Sequence, residues 1–187
     1  MPSGTYNCTV RKILVSACLL GANVRYHGGN ALSDHPLLRQ WDREGRLVPV
    51  CPEVAGGLST PRPPAEIRRL SGSGTARLAV MTRQGDDVSA AYRAGARTAL
   101  ELARQHDIRI AILKDGSPSC ASTAIHDGAF TGARVPGAGI TAALLREAGV
   151  QVFGEDRIDE AAAHLAALDE EEGHALPNRA PHAGTRR

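Results

Sequence analysis

Three apolar runs frame this 187-residue chain. Ile13-Leu-Val-Ser-Ala-Cys18, Leu47-Val-Pro-Val-Cys51 and Ile110-Ala-Ile-Leu113 are short, rich in branched residues, and stop abruptly in loops of Gly, Pro and hydroxyl residues. A continuous apolar run of this length marks a strand covered on both faces, as in a parallel sheet. Strands are expected over 12–17, over 47–50 (where Pro49 leaves the ladder imperfect), over 108–114 and over 150–153. Between them the spacing becomes helical. Leu37, Leu38 and Trp41 share one face of a helix over 35–44, with Asp34 as its expected cap, Pro36 in its first turn and Gly45 at its end. Tyr92, Ala96, Ala99, Leu100 and Ala103 form the inward stripe of a long helix over 89–106. Two further helices follow over 140–148, closed by Gly149, and over 158–172. Residues 76–82 and 87–88 around Gln84-Gly85-Asp86 have the look of a small hairpin. The proline-rich stretch 51–66 reads as a stiff loop, and 127–139 as a Gly/Pro-rich connection.

Such regular alternation of strand and helix predicts an α/β fold: a single domain with a mostly parallel sheet and flanking helices (Rossmann/flavodoxin-like), plus the small hairpin. The domain is expected over 12–172, between a frayed N-terminus (1–11) and a disordered tail (173–187). A net charge of +2 and 3% aromatic residues leave neither a nucleic-acid footprint nor a base-stacking platform. No stretch approaches the roughly 18 apolar residues of a membrane span. Val15-Ser-Ala-Cys18 behind Arg11-Lys12 imitates a lipoprotein signal, but its apolar core is too short, and Leu19 and Leu20 continue the run past the cysteine. Four widely separated cysteines (Cys8, Cys18, Cys51 and Cys120) point to a reducing, cytoplasmic setting.

Ligands of open parallel sheets bind beyond the carboxyl ends of the strands. Cys18, Cys51 and Cys120 all follow such ends. Each alone reads as a small buried hydrophobe; three in loops dense in Gly, Pro and Ser favour a shared site. Structural zinc takes four ligands in close pairs, and no C-x-x-C pair is present. Cys8, before the first strand, is expected at the other end of the sheet. A redox dithiol needs a nearby partner, and iron–sulfur ligands commonly come as four close cysteines. The residues alone therefore leave a metal site, a cluster site and a thiol-redox site open. A metal- or nucleotide-binding module without turnover is the alternative to an enzyme.

Six motifs then appear in order: Ser16-Ala-Cys18-Leu-Leu-Gly21, Arg25-Tyr26 before Gly28-Gly29, Val48-Pro-Val-Cys51-Pro-Glu53, Thr60-Pro-Arg-Pro-Pro64, Ser117-Pro-Ser-Cys120 and Gly139-Ile-Thr-Ala-Ala-Leu-Leu145. Together, over about residues 12–155, they resemble the thiouracil desulfidase (TudS) family. The resemblance implies a [4Fe–4S] cluster bound by three cysteines, Cys18, Cys51 and Cys120. It implies Glu53 as catalytic carboxylate and Ser117 as catalytic hydroxyl. The activity implied is removal of sulfur from thiolated uracil, giving uracil and hydrogen sulfide, with the open cluster iron binding the substrate sulfur. Arg62, Ser119, Ser122 and Thr123 are candidate base- or loop-binding groups. Ala121 stands where the family usually has Gly, and His27 where it usually has Asp; a reshaped turn or an altered preference would follow if these positions matter. The expected partner is a small thiopyrimidine, base or nucleoside, with no stable nucleic-acid binding and no membrane.

Overall fold

The computed structural model describes residues 10–70 and 77–175. Of the expected frayed start (1–11) and disordered tail (173–187), residues 1–9, with Cys8, and 176–187 lie outside the described residues; 173–175, expected in the tail, are instead the last residues of the final helix, Ile158–Ala175. Four strands form the central sheet: β1 (Ile13–Ser16), β2 (Leu47–Val50), β5 (Ile110–Leu113) and β8 (Gln151–Gly154). All neighbours are parallel, in the order β2-β1-β5-β8. β1 and β5 are buried along their whole length, the burial their unbroken apolar sequences require.

Side chains alternate between the two faces of the sheet and so feed two cores. Leu14, Ala111, Leu113 and Val152 pack with Ala99, Leu100 and Ala103 of α3 (Ser89–Gln105) and with Ala142 and Leu145 of α4 (Ile140–Glu147). Ile13, Val15, Ile110, Ile112 and Phe153 pack with Leu38 and Trp41 of α1 (Pro36–Arg43) and with Ile158, Ala161 and Leu165 of α5 (Ile158–Ala175). Each large side chain removed from water in this way contributes about 1.5–3 kcal/mol. The expected α/β class therefore holds, with helices on both faces of one sheet.

Several details differ from expectation. The cap of α1 is His35, whose Nδ1 accepts the Leu37 N–H, while Asp34 pairs with Arg39. Pro36 occupies the first helical position, so the cap must be the residue just before it. The strand expected over 76–82 is β4 (Arg77–Thr82), but its partner is β3 (Ala65–Leu70), in register Ile67 with Val80. Only a single bridge, Met81 with Asp87, remains of the expected pairing with 87–88. The end of the proline-rich loop is thus strand. A second hairpin, β6 (Ala124–His126) with β7 (Arg134–Pro136), takes up part of the connection over 127–139. Among the described residues no helix is long and apolar enough to cross a membrane.

Candidate functional site

The sheet order reverses between β1 and β5, and at such a switch point the flanking loops diverge and leave a crevice. Cys18 follows β1 in a 3-10 turn (Ala17–Leu20) stopped by Gly21 at φ +90°, the left-handed region that glycine enters without cost. Cys51 follows β2 and caps the short helix α2 (Pro52–Ala55), with Pro52 at its first position. Cys120 ends the loop after β5. All three are free thiols, and all three line one cavity of about 400 Å³ together with Glu53 and Ser117. The cysteines separated along the chain face one cavity.

Burial pushes all three thiols above their ordinary value. The neighbouring Cys51 adds to the rise of Cys18, and Glu53 to those of Cys51 and Cys120. Cys120 is driven furthest, against a hydrogen bond from Ser16 that favours its charged form. Three thiolates here need bound positive charge to balance them. Among the described residues no three His, Cys, Asp or Glu side chains stand close enough to share one metal ion. A polynuclear group, which gives each thiolate its own iron, accepts donors farther apart than one ion does. The donor set therefore fits an iron–sulfur cluster better than mononuclear zinc.

Glu53, 8% exposed, is the most heavily bonded carboxylate in the cavity. Its Oε2 accepts from Arg62 Nε at 2.8 Å and Nη2 at 2.7 Å, and from the Tyr92 hydroxyl at 3.0 Å. Its Oε1 accepts only from Ser117 Oγ, at 2.7 Å. The Ser117 hydroxyl in turn accepts the backbone N–H groups of Ser119 and Cys120. Those two bonds leave its proton aimed at Glu53. Arg62 is fixed by the carbonyls of Ser59 and Val24 and by Thr60 Oγ1. The fit behind Glu53 is close: a Cβ on Gly95 of α3 would overlap the Pro52 carbonyl, and one on Gly56 the Ala91 carbonyl. Glycine at these two positions lets α2 lie directly on α3.

Of the secondary candidates, Arg62 reaches the cavity, whereas Ser119, Ser122 and Thr123 are absent from its lining. Ser119 Oγ bonds Thr141 Oγ1 at 2.7 Å in the interior, and the Ser122 N–H is held by Asp115. His27 is exposed and its Nδ1 accepts the Gly29 N–H, the loop-capping bond an Asp would also make. Ala121 is fully buried and is not among the residues at positive φ, so its turn tolerates a Cβ. Sequence reasoning placed Tyr92 in the helix stripe and missed its hydroxyl. The available signal was a tyrosine in a stripe otherwise made of alanine and leucine, whose buried polar tip needs a partner.

A family model described as 2-thiouracil desulfurase matches residues 13–157. The chain is 42% identical over 152 residues to YbbK, an uncharacterized protein of Bacillus subtilis (strain 168), covering 79% of this chain and 98% of that protein. A solved structure described as a [4Fe–4S]-dependent thiouracil desulfidase, TudS, is 48% identical, with a TM-score of 0.77, covering 84% of this chain and 99% of that one.

Proposed function

The chain belongs to the 2-thiouracil desulfurase family, and on that premise we propose that it is a [4Fe–4S]-dependent desulfidase acting on a small thiolated uracil. The reaction exchanges one group: water and thiouracil give uracil and hydrogen sulfide, with no net oxidation. The observation that carries the reading is the convergence of Cys18, Cys51 and Cys120 on one cavity with the Glu53–Ser117 pair. We assign the three cysteines as the cluster ligands. When bound, the cluster supplies an iron with an open position, a Lewis acid for the substrate sulfur.

The remaining work falls to the chain's own groups. Glu53 is the base that receives a proton from water as the carbon–sulfur bond gives way. Its Oε2 is filled by three donor contacts, so the proton arrives at Oε1. Ser117 is bonded to that oxygen and relays the proton, giving its own to Glu53 and taking one from the water. Arg62 and Tyr92 hold the carboxylate in one orientation, and the two backbone N–H groups do the same for Ser117. The cavity volume and near-balanced charge support a free base or nucleoside as substrate rather than nucleic acid. The free thiols support a reducing compartment such as the cytoplasm.

Anaerobic reconstitution with iron and sulfide tests this. The protein is expected to turn brown, and to release sulfide and uracil from 4-thiouracil. Alanine at Cys18, Cys51 or Cys120 should remove both the colour and the turnover. Sulfide release that survives without iron, or a cluster-loaded protein that releases none, refutes the proposal.

A further inference from the structure

The cavity has a second wall, built by the two hairpins, that the chemistry assigned to the cysteine side does not use. Glu66 on β3 is 7% exposed and lines it. Its Oε2 accepts the Phe130 N–H at 2.9 Å. Its Oε1 has no protein partner and is not among the atoms sealed from solvent, in a residue that lines the cavity. A carboxylate has lone pairs for about four donors, and Glu66 uses one. His126 on β6, packed beside β3, lines the same wall. Its Nδ1 is buried without a partner, while Nε2 is neither sealed nor bonded to protein.

Neutral imidazole has one N–H and one lone pair. Buried orphan N–H groups are the rarer and costlier case, which assigns the lone pair to Nδ1 and the proton to Nε2. The wall then presents one open acceptor and one open donor. Phe130, four residues after His126, is bonded to Glu66. Phe130 stands at φ +58°, an unfavourable region for a bulky residue, held there by the Glu66 bond and by the Arg83 guanidinium 5.3 Å from its ring centroid. These contacts hold the loop after β6 against β3, the strand that carries Glu66.

Resting on the desulfidase reading, we propose that Glu66 and His126 select the uracil edge of the substrate. Glu66 Oε1 accepts the ring N3–H, and His126 Nε2–H donates to the carbonyl on its far side, while the sulfur turns toward the cysteines. In 4-thiouracil that edge runs C4=S, N3–H, C2=O. In 2-thiouracil it runs C2=S, N3–H, C4=O, the same order of groups, so one wall serves both isomers. A substituent on N1 leaves the edge untouched. In 2-thiocytosine the order is reversed: N3 is an acceptor facing Glu66, and the exocyclic amine is a donor facing His126. A site built for one polarity rejects the other because its buried groups go unpaired.

The test is KM, kcat and competition by 2-thiocytosine for the wild type, Glu66→Gln, His126→Phe and His126→Gln. Glu66→Gln keeps an acceptor for Phe130 and turns an amide donor to the cavity. It should raise KM for 4-thiouracil about tenfold or more, leave kcat and the cluster absorption within a few-fold, and bind 2-thiocytosine more tightly than the wild type. His126→Phe should raise KM similarly, whereas His126→Gln, which retains a donor, should restore most of the affinity. An unchanged KM in Glu66→Gln, or equal weakening of both ligands, overturns the proposal. Calorimetry with uracil and cytosine reads the same edge without turnover. A wild type that selects uracil but releases no sulfide defeats the desulfidase reading and leaves this one standing; loss of that selectivity defeats this one alone.

Discussion

Two carboxylates of nearly equal burial face the same cavity from different regions, Glu53 from the rim of the parallel sheet and Glu66 from a hairpin. Glu53 takes hydrogen bonds from Arg62, Tyr92 and Ser117, side chains belonging to separate segments. Glu66 takes one, from the backbone of Phe130. A carboxylate saturated on one oxygen and addressed by a single hydroxyl on the other is fixed in orientation and suited to moving a proton. A carboxylate with bonding capacity left over in a cavity wall is suited to recognising a donor that arrives with the ligand. The difference teaches that burial alone does not identify a reacting group. The number and direction of its partners do.

The sharpest break of that comparison is Glu53→Gln. It should lower kcat about 10²–10⁴-fold while iron content and visible absorption stay as in the wild type. If kcat falls no more than it does in Glu66→Gln, the division of labour between the two regions is wrong. Tyr92→Phe tests the saturation of Oε2. Because the two Arg62 bonds remain, kcat should fall only about three- to tenfold, with KM steady.

Gly95→Ala probes the packing that sets Glu53 in place. The added Cβ would force α2 off α3, costing about 1–3 kcal/mol of stability. A thermal scan should show this as a drop of about 2–10 °C. An unchanged midpoint would mean that the contact yields freely and does not position Glu53.

The smallest effect belongs to Glu155, which pairs with Lys114 and accepts the Asp115 N–H beside the cavity. Burial, which alone would raise its pKa, is outweighed by these two partners, so its carboxyl lies below the ordinary 4.5. A depressed folded-state pKa stabilises above the unfolded value and is lost as pH falls through the folded one. Glu155→Gln should therefore melt slightly lower than the wild type above the ordinary carboxylate value of 4.5, and the gap should close as pH falls through the lowered folded value. A gap that widens in acid would reverse the assigned sign.

Much of the fold was legible because burial leaves a periodic trace. The unbroken apolar runs of β1 and β5 announce strands covered on both faces, and the stripe from Tyr92 to Ala103 announces the helix lying on them. The convergence of the cysteines was legible too, since each follows a strand that ends at one edge of a parallel sheet. β3 was not, because Ala65-Glu66-Ile67-Arg68-Arg69-Leu70 follows a proline cluster and carries charge at half its positions. Its strand character comes from pairing with β4.

What the sequence by itself determined is the set of local preferences: which segments are strand or helix, which face each buries, and which cysteines stand at strand ends. The tertiary structure alone decided the partners. Ser117 finds Glu53 across 64 positions, Phe130 finds Glu66 across another 64, and Tyr92 turns its hydroxyl to Glu53 across 39. Periodicity records only whether a side chain leaves water, over a few neighbouring residues. A hydrogen bond needs a particular donor within about 3 Å of a particular acceptor, and only the packed chain places the two together.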